Sequence, residues 1–310
     1  MIAPVTKLPY RGVFPIVPTP FKDSGDLDIE SQRRVIECMV DQGSDGICVL
    51  ANYSEQFALS DRERELLLDV CMEHNAGRLP VIVTCSHYST RLATQRAQRA
   101  EAAGASMLML MPPYHGALLK AHEEGVFEHF ESVAEAVSIP IMVQDAPLSG
   151  VQLSVALLAR LAREIPQVSY LKIETPGTAD KLRALIESAG DAIAGPFDGE
   201  ESITLMADLD AGATGTMCSA LLPELIKPVV DHYLAGRRSE AAEQYNRILP
   251  LINYENRQCS LRACKAVMKE GGVIASDAVR HPFAPLPQAN RNELLELVRP
   301  LEPLAFRWGR

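Results

Sequence analysis

Ser154-Val155-Ala156-Leu157-Leu158-Ala159-Arg160-Leu161-Ala162-Arg163-Glu164 is followed after a short gap by Val168-Ser169-Tyr170-Leu171-Lys172-Ile173-Glu174. A capping serine opening an amphipathic run predicts a helix over 155–164. The second run predicts a strand over 168–174, with Tyr170, Lys172 and Glu174 on one face and Leu171 and Ile173 on the other. A helix leading into a strand with apolar residues on its outer face is half of a βα repeat, and the same alternation extends in both directions.

Outward from this unit, strands are expected at 13–17, 46–50, 80–84, 106–111, 140–144, 192–195 and 215–218. Ser60-Asp61 and Ser89-Thr90 mark helix starts, while Gly43, Gly77 and Gly104 mark helix ends. Eight strands, each followed by a helix, within about 220 residues favour a closed (β/α)₈ TIM barrel over an open doubly wound sheet. No Gly-x-Gly-x-x-Gly follows the first strand and no phosphate-loop lysine motif is present, which argues against nucleotide binding. Beyond Cys218 the pattern turns helical at 222–235, 239–253, 259–270 and 290–298, with the proline-stiffened run 280–287 between the last two. The expected organisation is a catalytic barrel over 1–220 and a C-terminal helical region over 221–310.

The 310 residues are 47% hydrophobic and 23% charged, an ordinary globular composition. Thirty Lys and Arg against forty Asp and Glu leave a formal charge of −10 with no basic block, so nucleic acid is not an expected partner. The longest apolar run, around 107–113, is far shorter than a membrane helix, and the opening MIAPVTKLPYRG has no apolar leader; a cytoplasmic protein without a membrane partner is expected. Seven scattered cysteines with no Cys-x-x-Cys pair read as reduced core thiols.

In a barrel of this kind chemistry belongs at the carboxyl ends of the strands, where eight loops converge. There Lys172 and Glu174 point into the mouth. Desolvation lowers a lysine pKa and yields a nucleophilic amine, which condenses with a ketone to a protonated imine that acidifies the adjacent carbon. The competing reading is an ion pair plugging the barrel. The turn Leu50-Ala51-Asn52-Tyr53-Ser54-Glu55, at the exit of the second strand, either offers backbone amides to a carboxylate or is an ordinary loop capped by Ser60 or Asp61.

Four motifs stand in order: the turn at 51–55, Pro113-Tyr114, the segment 144–147, and Lys172 in an Ile-Lys-Glu-like strand. Gly-Ala-x-Gly at 212–215 and Arg-x-Pro at 280–282 follow them. Together they resemble the dihydrodipicolinate synthase/N-acetylneuraminate lyase family of Schiff-base lyases across essentially the whole chain. The resemblance implies the barrel with its helical extension, a homotetramer built as a dimer of tight dimers, and an imine between Lys172 and a small 2-oxo acid. It also implies that the acid's carboxylate rests on Asn52, Tyr53 and Ser54, and that no metal or organic cofactor takes part.

The departures redirect the chemistry. Asn52 and Tyr53 replace two threonines, His115 stands where a second tyrosine is common, and Gln144 replaces the proton-relay tyrosine of the fifth strand. An amide has no proton to exchange near neutrality, so ordinary aldol chemistry loses its relay. Dehydration needs a base beside the imine and an acid for the departing hydroxide, and Glu174 is placed for either duty. The expectation is therefore a hydro-lyase acting on a 2-keto-3-deoxy sugar acid, with Lys172 and Glu174 catalytic. A pyruvate-dependent aldolase and a non-catalytic 2-oxo-acid-binding barrel are the alternatives.

Asn52, Tyr53, Ser54, Tyr114, His115, Gln144 and Asp198 are expected to bind substrate. For Asp198 the choice lies between a substrate hydroxyl and a cap for the helix near Glu201. His122-Glu123-Glu124 with His129 lacks His-Glu-x-x-His spacing and reads as a solvated helix face rather than a metal site.

Overall fold

The computed structural model describes residues 9–116 and 119–309; the opening segment read for a leader therefore lies largely outside them. Strands β1 (Gly12–Val13), β2 (Ile47–Val49), β3 (Val81–Thr84) and β4 (Met107–Leu110) lead to a small antiparallel hairpin of β5 (Tyr114–His115) and β6 (Leu119–Lys120). Strands β7 (Ile141–Asp145), β8 (Val168–Ile173), β9 (Gly195–Asp198) and β10 (Gly215–Thr216) follow. All but the hairpin form one parallel sheet in the order β1-β10-β9-β8-β7-β4-β3-β2. It closes on itself: the Cys48 N–H donates to the Pro15 carbonyl at 2.9 Å and the Val17 N–H to the Cys48 carbonyl at 2.8 Å. The result is the expected (β/α)₈ barrel.

The helices between strands are α1 (Ile29–Asp41), α2 (Asp61–Asn75), α3 (Thr90–Ala102), α4 (Glu123–Ala134), α5 (Val155–Glu164), α6 (Thr178–Ala189) and α7 (Leu205–Asp210). Ser60 and Ser154 accept hydrogen bonds from the third helical N–H of α2 and α5, satisfying groups a helix start leaves unpaired. After β10 come α8 (Pro223–Leu234), α9 (Arg238–Tyr254), α10 (Arg262–Glu270), α11 (Gln288–Val298) and the short α12 (Leu304–Arg307). A wide π-turn at Glu255–Cys259 ends α9.

Two apolar layers follow from the period of two. Leu171 and Ile173 join the layer between barrel and helices. Tyr170 packs inside the barrel with Phe14, Ile82, Met107, Met142 and Phe197. These rings need glycine opposite them, since a Cβ on Gly46 would sit 2.1 Å from the Phe14 ring. The barrel interior below the mouth is thus filled by side chains.

Two expectations are corrected. The seventh strand lies at 195–198, not 192–195, because Gly190–Ala192 forms a tight turn ending α6 and Pro196 sits within the strand, its carbonyl accepting from the Thr214 N–H at 2.9 Å. The His122–His129 segment is not a uniformly solvated face. His122 caps α4, whereas His129 is buried, bonded to Thr90 at 2.9 Å and held down near pKa 4 by burial. Among the described residues no His, Cys, Asp and Glu cluster suits a metal ion, and no helix is long and apolar enough to cross a membrane. All seven cysteines are buried and unpaired.

Candidate active site

Lys172 is 1% exposed, and its Nζ lies 2.6 Å from Glu174 Oε1, the carboxylate just beyond β8. On the adjoining strand Gln144 pairs in register with Lys172 and donates its Nε2 to the same Glu174 oxygen at 2.7 Å. That bond sets the amide's orientation, so Gln144 Oε1 faces the other way, buried and without a partner. A buried acceptor left unsatisfied is costly, and at the edge of a cavity it calls for a ligand donor.

The ion pair read as one alternative is therefore present, and it changes the amine's resting state. Burial pulls Lys172 toward the neutral form, but the Glu174 carboxylate in direct contact with it is the foremost of the influences that outweigh burial and hold the ammonium above its ordinary value. The lowered lysine pKa expected from burial alone is not found. A neutral amine is still within reach, because its proton needs to move only the length of the Lys172–Glu174 hydrogen bond.

A cavity of about 270 Å³ opens above this pair, lined by Asn52, Tyr53, Gln144, Lys172, Glu174 and Glu201, with Glu200, Asn256 and Arg257 at its rim. Arg257, in the π-turn, pairs with Glu200 at 3.1 Å, so the C-terminal region forms one wall. Burial drives the Glu201 carboxyl well above the usual range despite Lys172. Burial likewise raises Tyr53, helped by Glu201 and Glu255, so its phenol keeps its proton.

The turn at 51–55 is tight. Ser54 Oγ donates to the Val17 carbonyl at 2.6 Å and accepts from the Ala51 N–H at 3.1 Å. Its internal bonds engage the N–H groups of Ser54, Glu55 and Gln56, leaving those of Asn52 and Tyr53 without a partner among the described residues. Glu55, at φ +57°, accepts from Lys265 of α10 and, at 2.9 Å, from the Arg280 N–H.

Of the residues expected from sequence, the fold gathers Lys172, Glu174, Gln144, Asn52 and Tyr53 around one cavity. Ser54 is spent on the turn. Tyr114 and His115 line a separate cavity of about 600 Å³ with His87, Tyr88 and Phe57. Asp198 is wholly buried in β9, accepting from Thr216 Oγ1 at 2.5 Å; burial and then its neighbour Asp208 raise its pKa well above the carboxylate range. It caps no helix, and Thr204 precedes α7 instead. Sequence reasoning missed Glu201 and Lys265. The local signal for Glu201 was its place at a strand exit, and nothing adjacent in sequence announces Glu55 as the partner of Lys265.

The comparisons agree with the fold. The Dihydrodipicolinate synthetase family matches residues 9–300. The chain is 55% identical to the L-2-keto-3-deoxyarabonate dehydratase of Azospirillum brasilense, over 97% of each chain. It is 29% identical to the 4-hydroxy-tetrahydrodipicolinate synthase of Methanothrix thermoacetophila, over 95% of this chain and 98% of that one. The crystal structure of dihydrodipicolinate synthase from Aquifex aeolicus superposes with a TM-score of 0.88 at 26% identity, covering 95% and 99% of the two chains. With the barrel, the strand-borne lysine and a match along nearly its whole length, this chain belongs to the dihydrodipicolinate synthetase family.

Proposed function

We propose that this protein is a Schiff-base hydro-lyase that dehydrates a 2-keto-3-deoxy sugar acid, L-2-keto-3-deoxyarabonate, to 2-oxoglutarate semialdehyde and water. The observation that carries the reading is the Gln144–Glu174–Lys172 chain of hydrogen bonds, in which a carboxylate is oriented by an amide and touches the amine. The relative of 55% identity supports the substrate.

The substrate carboxylate binds the free N–H groups of Asn52 and Tyr53. Lys172 passes a proton to Glu174 and attacks C2; Glu174 returns the proton to the departing carbinol oxygen, leaving an iminium and an ionised carboxylate. That carboxylate removes a C3 proton, which the iminium has acidified. Loss of the C4 hydroxyl follows, then tautomerisation of the C5 carbinol to an aldehyde and hydrolysis from Lys172. Gln144 Oε1 accepts from a substrate hydroxyl, which satisfies its buried lone pairs.

Borohydride added with the substrate, followed by peptide mass analysis, is expected to place the adduct on Lys172, and product analysis to show all five carbons retained. An adduct elsewhere, or release of pyruvate, would sink the assignment. We also infer a cytoplasmic homotetramer, a barrel ending near residue 220, and a helical region beyond it that walls the site. The exposed Phe57, Tyr88 and Phe283, close to the second cavity, support burial between subunits. Sedimentation velocity at micromolar protein should give the tetramer; a monomer would refute it.

A further inference from the structure

The Lys172 cavity holds a carboxyl that the steps above leave idle. Glu201 lines it and is 8% exposed, and its carboxyl has neither a hydrogen-bond partner nor an ion pair among the described residues. Its backbone is held in an unusual form: Glu201 and Ser202 have φ of +46° and +71°, two consecutive non-glycine residues in the left-handed region. Such strain persists only where surroundings enforce it, and it concentrates at functional sites. Here the surroundings are visible. Tyr245 of α9 donates its hydroxyl toward the Ser202 and Ile203 carbonyls at 2.9 and 2.7 Å, and Ser202 Oγ bonds Thr216 Oγ1 at 2.7 Å. The Glu201 N–H turns back to the Gly199 carbonyl at 2.7 Å.

The other groups around the cavity have their roles taken. Glu174 is the anion paired with Lys172 and cannot both accept a proton from carbon and carry one for oxygen in the same step. Glu200 is paired with Arg257, and Asn52 and Gln144 are amides. Tyr53 is pushed above an already weak phenol, which makes it a poor acid. Glu201 remains: a carboxyl kept protonated by its burial, free of partners, and facing the same space as the amine.

Resting on the dehydratase reading, we propose that Glu201 is the general acid of the elimination, its carboxylic acid bonding to the C4 hydroxyl of the Lys172-bound substrate and supplying the proton with which it leaves as water. In that step Glu174 takes the C3 proton, the C3–H pair becomes the C3=C4 bond, and the C4–O pair departs with oxygen. The Glu201 proton completes the water molecule. Glu201 is left ionised and Glu174 protonated, and transfer of one proton from Glu174 to Glu201 through that water restores both. Base and acid thus belong to two carboxyls whose environments separate their protonation states.

The test compares Glu201→Gln with the unaltered enzyme on 2-keto-3-deoxyarabonate and on the analogue carrying fluorine at C4, because fluoride leaves without needing a full proton. Expected for Glu201→Gln are unchanged borohydride trapping, C3 exchange with solvent deuterium within about threefold of normal, and dehydration slowed by about 10²-fold or more. Fluoride release from the analogue should stay within about tenfold of normal. Dehydration near the normal rate, equal impairment on both substrates, or loss of C3 exchange would each overturn the proposal. Glu201→Asp keeps the acid but withdraws it by one methylene; it should fall between the two on the hydroxyl substrate, and it carries the test if the glutamine disturbs folding. Failure of the unaltered enzyme to exchange C3 or dehydrate the sugar acid would instead overturn the dehydratase reading and this proposal with it.

Discussion

Glu255 shows at the scale of one residue what burial does to a charge with no cation beside it. It is 1% exposed, its Oε1 has no partner, and burial, partly offset by Ser219, pushes its pKa up to about 7. A carboxyl whose folded pKa lies above its ordinary 4.5 favours the fold fully in acid. As pH rises through the unfolded value toward 7, the unfolded chain sheds the proton first and stability is lost. Glu255→Gln should therefore stabilise the protein at pH 8, by up to about 3 kcal/mol, and give little at pH 4. Denaturant unfolding at the two pH values checks this, and equal stabilities at pH 8 would refute it. Residues of this kind were invisible in the sequence, because their pKa values depend on surroundings that converge from distant segments. Lys172 illustrates the point: strand period offered both a desolvated amine and an ion pair with Glu174, and only the closed barrel shows the carboxylate outweighing burial.

At the scale of elements, the loop after β9 depends on a glycine for reasons of space. A Cβ on Gly199 would lie 2.5 Å from Glu174 Cγ and 2.7 Å from the Ile173 carbonyl oxygen. The side chain could shift; the carbonyl belongs to β8 and cannot move without breaking the sheet. Gly199→Ala should therefore displace Glu174 from Lys172 and Gln144, lowering turnover by about 10²-fold while borohydride still traps substrate on Lys172. Retention of both full turnover and the native pH profile would count against this packing. The helices and most strands were legible because a serine cap, a glycine stop and an apolar period are local signals. The seventh strand was displaced because Ala192-Ile193-Ala194 looks locally like a strand and Pro196 like its end, whereas pairing with the neighbouring strands placed the ladder three residues later.

Across the whole molecule, the C-terminal region holds the turn at 51–55, the proposed substrate-carboxylate site, in place. Lys265 and Glu55, both 0% exposed and 210 residues apart, form an ion pair between α10 and the turn at 51–55. Lys265 also donates to the Ala278 carbonyl at 2.9 Å and lies 4.5 Å above the Phe21 ring. Replacing one member of such a pair leaves a bare charge in the interior. Lys265→Met should cost about 3–5 kcal/mol and raise KM for the 2-oxo acid more than it lowers kcat, with Glu55→Gln in the same chain recovering part of the stability. Denaturant titration and steady-state kinetics on the three variants measure both effects; an unchanged KM would show that the turn is held by its own bonds.

The sequence alone determined the barrel, the lysine-bearing strand and its inward face, since periodicity and capping are properties of neighbours along the chain. It also exposed the missing phenol at Gln144, which moved the expected chemistry from carbon–carbon cleavage to loss of water. Only the tertiary structure decided that Lys172 rests as an ammonium and that Tyr114 and His115 face a different cavity. It alone showed Asp198 shut inside the barrel and an unpaired Glu201 opening onto the site. Those outcomes depend on electrostatic and steric contacts made through space between segments far apart in the chain, and such contacts do not exist until the barrel has closed.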